Sequence, residues 1–176
     1  TCSYRFAVDQ NSTKTFSDSD TFNNTTTISQ GTGDGTYYLH IQAKDSAENL
    51  STVLNISAVL DNTVPVITGL TSSNAPTKSV TWNWGCSETG CTYSFIVNQS
   101  STPPQLSSLN FDSPATMTQG SGDGTYYLHV QAKDPTGNLS TITSVSAVLD
   151  NTAPVITGLS NSTSPTKSVT WNWGCT

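Results

Sequence analysis

The sequence predicts an all-β protein built of antiparallel two-sheet sandwiches in tandem, and three observations predict it. Gly31 to Cys86 recur at a constant shift of 89 positions as Gly120 to Cys175, with 42 of 56 aligned positions identical. A fixed period of that length signals an array of similar modules. Ser and Thr make up 56 of the 176 residues, and short polar side chains compete with a helical backbone for hydrogen bonds, which favours strands and turns. Apolar and polar residues alternate in short runs between Gly, Pro and Asn turns, with no helical period.

The period of 89 residues is about the size of one small domain. Only 34% of residues are hydrophobic, but four Trp, six Tyr and five Phe supply large buried areas. The net charge is −6, with 10% charged residues and no basic cluster. Nucleic acid needs its phosphates neutralised, and six scattered cations do not provide that. An anionic membrane surface is disfavoured for the same reason. No apolar run approaches the roughly 18 residues of a spanning helix, and no signal peptide is present. The expectation is therefore no membrane insertion in this segment, with any export signal or anchor lying outside it.

Taken in order from a proline boundary, one unit runs from Val64 to Thr152. Val66–Leu70 reads as an edge strand after Pro65, and Ser72–Lys78 as a polar loop. Val80 to Cys86 alternates strictly, so Val80, Trp82 and Trp84 point inward while Thr81 and Asn83 face water. Ser87–Gly90 is a turn, after which Tyr93, Phe95 and Val97 continue the inward face. Ala115–Gln119 is a further strand, followed by the turn Gly120–Gly124. Tyr126, Leu128, Val130 and Ala132 then face the core, against Tyr127, His129, Gln131 and Lys133 outward. Pro135–Asn138 turns the chain, and Val145, Ala147 and Leu149 line the last strand. The count is seven or so strands per repeat.

The stretch Asp123-Gly124-Thr125-Tyr126-Tyr127-Leu128 resembles the D-x-G/A-x-Y-Y-C stretch of immunoglobulin domains, one residue shorter and with Leu128 where the second cysteine would be. The run from Asp123 to Ile156 is similar to the last two strands and linker of bacterial Ig-like repeats, which occur in long secreted surface proteins and adhesins. That resemblance covers essentially the whole chain. It implies immunoglobulin-like sandwiches, with Tyr126, and Tyr37 in the other copy, as tyrosine-corner residues. The chain lacks the inter-sheet disulfide of antibody domains and has paired tryptophans and a cysteine loop instead.

Cys86 and Cys91 form a CxxxxC, and the repeat shift makes Cys175 and Cys2 the two halves of the same motif. A disulfide closing that small loop would contribute on the order of 2 kcal/mol and would imply an oxidising compartment outside the cytosol. Zinc is the competing reading, but it needs two further ligands nearby, and His40 and His129 fall on strands elsewhere.

The repeat divides the chain into 1–63, the C-terminal part of one module; 64–152, a complete module; and 153–176, the first strands of the next. Neither incomplete piece can bury its apolar face alone. It is completed either by neighbours in a longer tandem chain or by Ala153–Thr176 of another molecule in a fibre. Two periods would be 178 residues against 176 here, and the shortfall falls in the turn held by Glu88 and Thr89. That arithmetic favours a longer array.

Other features are weighed against plainer roles. Asp61 and Asp150 mark the module junctions, where acids can hold calcium with help from Asp45, Glu48 or Asp134. Calcium wants six to eight oxygens, and the plainer reading is a turn fixed by proline. Tyr38, His40, Gln42 and Lys44, with Tyr127, His129, Gln131 and Lys133, form an outward stripe able to stack sugars or a neighbouring strand, or simply a solvated face. Residues 9–27 and 98–116 diverge most between copies, as a ligand face or as unconstrained loops would. N-x-S/T matches at Asn11, Asn23, Asn24, Asn49, Asn55, Asn98, Asn138 and Asn161 are expected by chance in such a composition. No acid pair or nucleophile constellation suggests catalysis, so the chain is not expected to be an enzyme and no cofactor is implied. The expectation is an extracellular or cell-surface structural module, acting as spacer, stalk or filament, whose partners are neighbouring repeats or other copies. The alternative is an adhesin that contacts a cell-surface or glycan ligand.

Overall fold

A computed structural model describes residues 1–176. It contains strands and turns and no helix. By compactness the chain divides into one unit of Thr1–Pro65 with Lys133–Leu139 and a second of Val66–Ala132 with Ser140–Thr176.

The first unit carries β1 (Ser3–Asp9), β2 (Gly35–Lys44) and β3 (Leu54–Leu60) in one antiparallel sheet of that order. Phe6 lies opposite Ile41, and Leu39 opposite Ile56. The two-residue alternation puts Leu39 and Ile41 on one face of β2, and that face has no second sheet over it. Ile56 is accordingly 54% exposed.

The second unit begins with β4 (Ile67–Thr68), β5 (Ser73–Thr77), β6 (Val80–Asn83), β7 (Gly85–Cys86) and β8 (Thr92–Asn98). It continues through β9 (Thr116–Gln119), β10 (Gly124–Lys133) and β11 (Thr143–Leu149). One layer is a four-stranded sheet ordered β5-β11-β10-β8. The facing layer is made of the pairs β6–β9 and β4–β7. Between them lie Trp82, Trp84 and Tyr93, with Leu128, Val130 and Ala132 of β10 and Val145, Ala147 and Leu149 of β11. These are the inward positions of the alternating strands. The unit is an immunoglobulin-like β-sandwich, and the chain is all-β.

Two elements differ from the sequence reading. Ser73–Thr77 is a strand rather than a loop, and it pairs parallel with β11 through Ala147–Ser73 and Leu149–Thr77. Its side chains are mostly exposed, so no hydrophobic alternation marks it. Backbone pairing alone makes the strand, and Pro76 is tolerated because the strand is an edge. The sandwich is therefore not purely antiparallel. Val80–Cys86 is also two strands rather than one. The chain changes partner at Trp84, whose N–H donates to the Ala115 carbonyl at 3.0 Å, so that β6 pairs with β9 and β7 with β4.

After β11 the chain forms a short hairpin of β12 (Ile156–Thr157) and β13 (Gly174–Cys175). It repeats the β4–β7 pairing, yet residues 153–176 are exposed throughout. Trp84 is 6% exposed and its repeat equivalent Trp173 is 70% exposed. Trp84 also meets Tyr93 and Phe95 edge-on, at centroid distances of 6.0 and 5.2 Å. Trp84→Ala is predicted to destabilise the second unit by about 3–5 kcal/mol. Trp173→Ala in the monomer should shift the same urea transition by no more than about 0.5 kcal/mol. Far-UV circular dichroism during urea unfolding measures both.

Candidate functional site

The most chemically organised region of each module is the end where the last strand leads into the junction. The turn before β10 places Gly122 at φ +84°, a left-handed conformation that glycine adopts without a Cβ penalty. The Tyr126 hydroxyl occupies the space a Cβ on Gly122 would take. The same holds for Tyr37 over Gly33, at φ +89°. The two tyrosines named from the sequence thus lock the turns that open β2 and β10.

Those turns in turn hold the junctions. The Asn151 N–H donates to the Asp123 carboxylate, and the Thr152 hydroxyl donates to its other oxygen at 2.9 Å. The Asn151 side-chain amide donates to the Gly122 carbonyl at 2.7 Å. In the first unit, Asn62 makes the equivalent contacts to Asp34, at 2.5 Å, and to the Gly33 carbonyl, at 2.7 Å. Each junction is therefore clipped to the DG turn of its own module, 28 residues earlier. Sequence reasoning singled out Asp61 and Asp150 and missed Asn62 and Asn151. The available signal was the joint repetition of DG and DNT at one separation.

The junction acids act as turn caps. Asp61 Oδ1 accepts from the Thr63 N–H and Asp150 Oδ1 from the Thr152 N–H, each at 3.1 Å. Asp134 accepts from the N–H groups of Gly137 and Asn138, from the Asn138 amide and from the Thr136 hydroxyl. Asp45 holds its own turn through Ala47 and Asn49. Glu48 pairs with Lys44 at 2.7 Å. Burial pushes the Asp134 carboxyl up, but these donors outweigh it and leave it below the usual carboxylate range. Asp45 is held low by Asn49. Asp123 is held low by the Asn151 N–H and then by Thr152.

Cys86 and Cys91 form a disulfide with a Cα–Cα separation of 6.4 Å. Cys2 and Cys175 are exposed free thiols. The disulfide joins the end of the tryptophan-bearing segment to the start of β8.

The outward stripe requires correction. His40 and His129 are fully buried, and Tyr38 and Tyr127 are half-buried, so this is not a free contact face. His129 is covered by the segment that follows β8, whereas His40 lies between neighbours on the adjacent strands, Asp9 of β1 and Asn55 of β3. His129 Nε2 lies 3.0 Å from the Ser100 carbonyl and Nδ1 lies 2.8 Å from the Ser144 hydroxyl. His40 sits between Asp9 Oδ1 at 3.2 Å and Asn55 Oδ1 at 2.7 Å. Each imidazole stacks on the tyrosine two residues before it. Alternation showed that these residues point away from the core, but not that another segment covers them.

The divergent segments are packed differently in the two units. In the first, the buried Arg5 guanidinium lies over Phe16 at 5.0 Å and Phe22 at 4.8 Å. It also donates to Gln42 Oε1 and to the Ser17 carbonyl. Arg5, Phe22, Lys44, Asp18, Asp20 and Glu48 border an open, charged groove. At the equivalent of Arg5, the second unit has Ser94, and its segment buries Leu106 completely.

No family model matches the chain, and no curated protein matches it. Among solved structures it is similar to the fibronectin(III)-like modules of Clostridium thermocellum CbhA, at 18% identity and a TM-score of 0.38. That match covers 84% of this chain and 77% of the other. The assignment of an all-β, immunoglobulin-like sandwich rests on the strands and core described above.

The junction clip predicts an acid dependence. A carboxylate whose folded pKa lies below its unfolded value stabilises the fold fully above that unfolded value, near 3.9, and loses the contribution as pH falls through the folded pKa. Asp123→Asn should therefore lower Tm at neutral pH. It should also reduce the fall in Tm between about pH 6 and about pH 3. Calorimetry of both chains across that window measures the difference.

Proposed function

We propose that this chain is a structural repeat of an exported surface protein, and that it works as a spacer, stalk or extracellular filament. The observation that carries the reading is the repetition of one sandwich design together with its clipped junction, DNT followed by a proline. A linker that starts hydrogen-bonded to the preceding module has few free torsions, which suits an array that transmits length rather than one that folds around a substrate. The Cys86–Cys91 disulfide supports export, because such bonds persist in oxidising compartments. No helix is long and apolar enough to cross a membrane. The reading assigns no catalysis, since both histidines are buried and engaged in hydrogen bonds.

One observation favours a second reading, a ligand-binding adhesin. The charged groove beside Arg5 and Phe22 belongs to the divergent segment of the first unit and differs in kind from its counterpart. An antibody against the chain, applied to intact source cells, tests the first reading. Surface labelling without permeabilisation is expected, and labelling only after permeabilisation would contradict export. A glycan array probed with the same chain addresses the second. Binding that is lost in Phe22→Ala would favour the adhesin over the spacer.

A further inference from the structure

Eight asparagines of the chain stand in an N-x-S/T sequence, and the fold sorts them. Sugar transfer to such a site needs an accessible carboxamide nitrogen, a hydroxyl two residues on, and a surface loop that can enter a transferase cleft. Four of the eight side chains hold the fold together instead. The Asn138 amide donates to Asp134 Oδ2 at 2.8 Å and to the Thr136 hydroxyl at 2.9 Å. The Asn49 amide donates to Asp45 at 3.0 Å. Asn55 lies within β3, with its Oδ1 2.7 Å from His40 Nδ1. Asn98 ends β8, and its Oδ1 accepts from the Ser100 N–H at 2.8 Å.

Three more are set aside by their surroundings. Asn23 is bridged to Tyr4 through both its N–H and its carbonyl, and its side chain accepts from the Thr25 N–H. The run Asn24-Thr25-Thr26 puts its hydroxyl on Thr26, the counterpart of Ala115, which packs against the core of the complete module. Asn161 is the counterpart of Ser72, whose hydroxyl accepts from the Ser146 N–H at 3.0 Å.

Asn11-Ser12-Thr13 remains. These residues follow β1 on a loop, and all three are exposed. The Asn11 N–H donates to Asp9 Oδ1 at 2.8 Å, which holds the backbone of the turn. The Asn11 carboxamide and the Thr13 hydroxyl make no hydrogen bond within the protein. Ser100, Ser101 and Thr102 occupy the same three places in the complete module and are exposed there too, so the exposure belongs to the fold of the repeat.

We propose that Asn11 is an N-glycosylation site and that the other seven asparagines carry no sugar. The inference rests on the export reading above, because the transferase works on exported chains. The donor is an oligosaccharide joined through its anomeric carbon to a polyprenyl pyrophosphate. Asn11 Nδ2 attacks that carbon, the bond from carbon to phosphate oxygen breaks, and the polyprenyl pyrophosphate leaves. The nitrogen gives up one of its two protons to a base on the transferase. Ser100 stands at this place in the second unit, so the sugar falls on one unit of the pair. Such a group is bulky and solubilising, and at a loop after an edge strand it coats an array without entering a core.

The test is peptide mass mapping of the chain purified from its source cells. Trypsin separates Phe6–Lys14, with Asn11, from Thr15–Lys44, Asp45–Lys78, Ser79–Lys133 and Asp134–Lys167, which hold the other seven. The expected result is a sugar mass on Phe6–Lys14, placed on Asn11 by fragmentation, and bare masses for the rest. Thr13→Ala, made in the same cells, should lose that mass, and Thr13→Ser should keep it. Both variants should unfold at the wild-type urea concentration, because residue 13 is exposed. A bare Phe6–Lys14 overturns the proposal, as does sugar on any of the other four peptides. Sugar that persists in Thr13→Ala also overturns it. Bare peptides from cells that label at the surface remove the glycan and leave the spacer reading standing. Bare peptides from cells that label only after permeabilisation contradict both.

Discussion

Each module depends on a single contact, the packing of the tryptophan strand over the β10–β11 sheet. β2 and β10 have nearly the same sequence, GTYYLHIQAK and GTYYLHVQAK. In β10, Leu128, Val130 and Ala132 are fully buried, whereas Leu39, Ile41 and Ala43 of β2 are only half-buried. The difference lies in whether Trp82 and Trp84 are present overhead. Apolar burial stabilises by roughly 25 cal/mol per Å², and Trp side chains bury about 150–250 Å² each. A second sheet that brings two of them is therefore a large share of what a domain of this size can gain. Asp123, Asp134 and Asp150 serve turns and caps instead.

The same logic explains where the module spends its polar residues. Asp34 and Asp123 hold Asn62 and Asn151 at the start of each junction, while Asp45 and Asp134 hold the turn before the last strand. These are short carboxylate–backbone contacts, charge-assisted and stronger than neutral ones, and those of Asp34 and Asp123 sit on glycine-bearing turns that the tyrosine rings lock. The apolar strand fixes the two layers against each other, and the clips fix how the chain leaves them. A repeat built in this way can diverge in its covering segment without disturbing either device. Residues 9–27 and 98–116 do diverge, as Arg5 with Phe16 and Phe22 in one unit and Leu106 in the other.

Much of the fold was legible because strand alternation records burial directly. Val80, Trp82 and Trp84, the even-numbered positions from Tyr126 to Ala132, and Val145, Ala147 and Leu149 were all placed inward from spacing, and they line the core. Ser73–Thr77 was not legible, because a strand held by backbone pairing at an edge leaves no mark on side-chain pattern. The break at Trp84 was hidden for a related reason: alternation continues through a change of partner strand. His40 and His129 misled because alternation says which way a side chain points and not what lies beyond it. Their hydrogen-bond partners differ between copies, Asp9 and Asn55 for His40 and Ser100 and Ser144 for His129. The junction clip escaped because its partners are far apart in sequence and individually ordinary.

Amide hydrogen exchange along the whole chain, at a dilution where it is monomeric, tests most directly whether the tryptophan strand closes the module. The account predicts strong protection of 124–132 and 143–149, limited by global unfolding, and fast exchange in the equivalent 35–43 and 54–60. Equal protection of the two sets in the monomer would contradict it, because the first sheet would then be stable without the strand that covers the second.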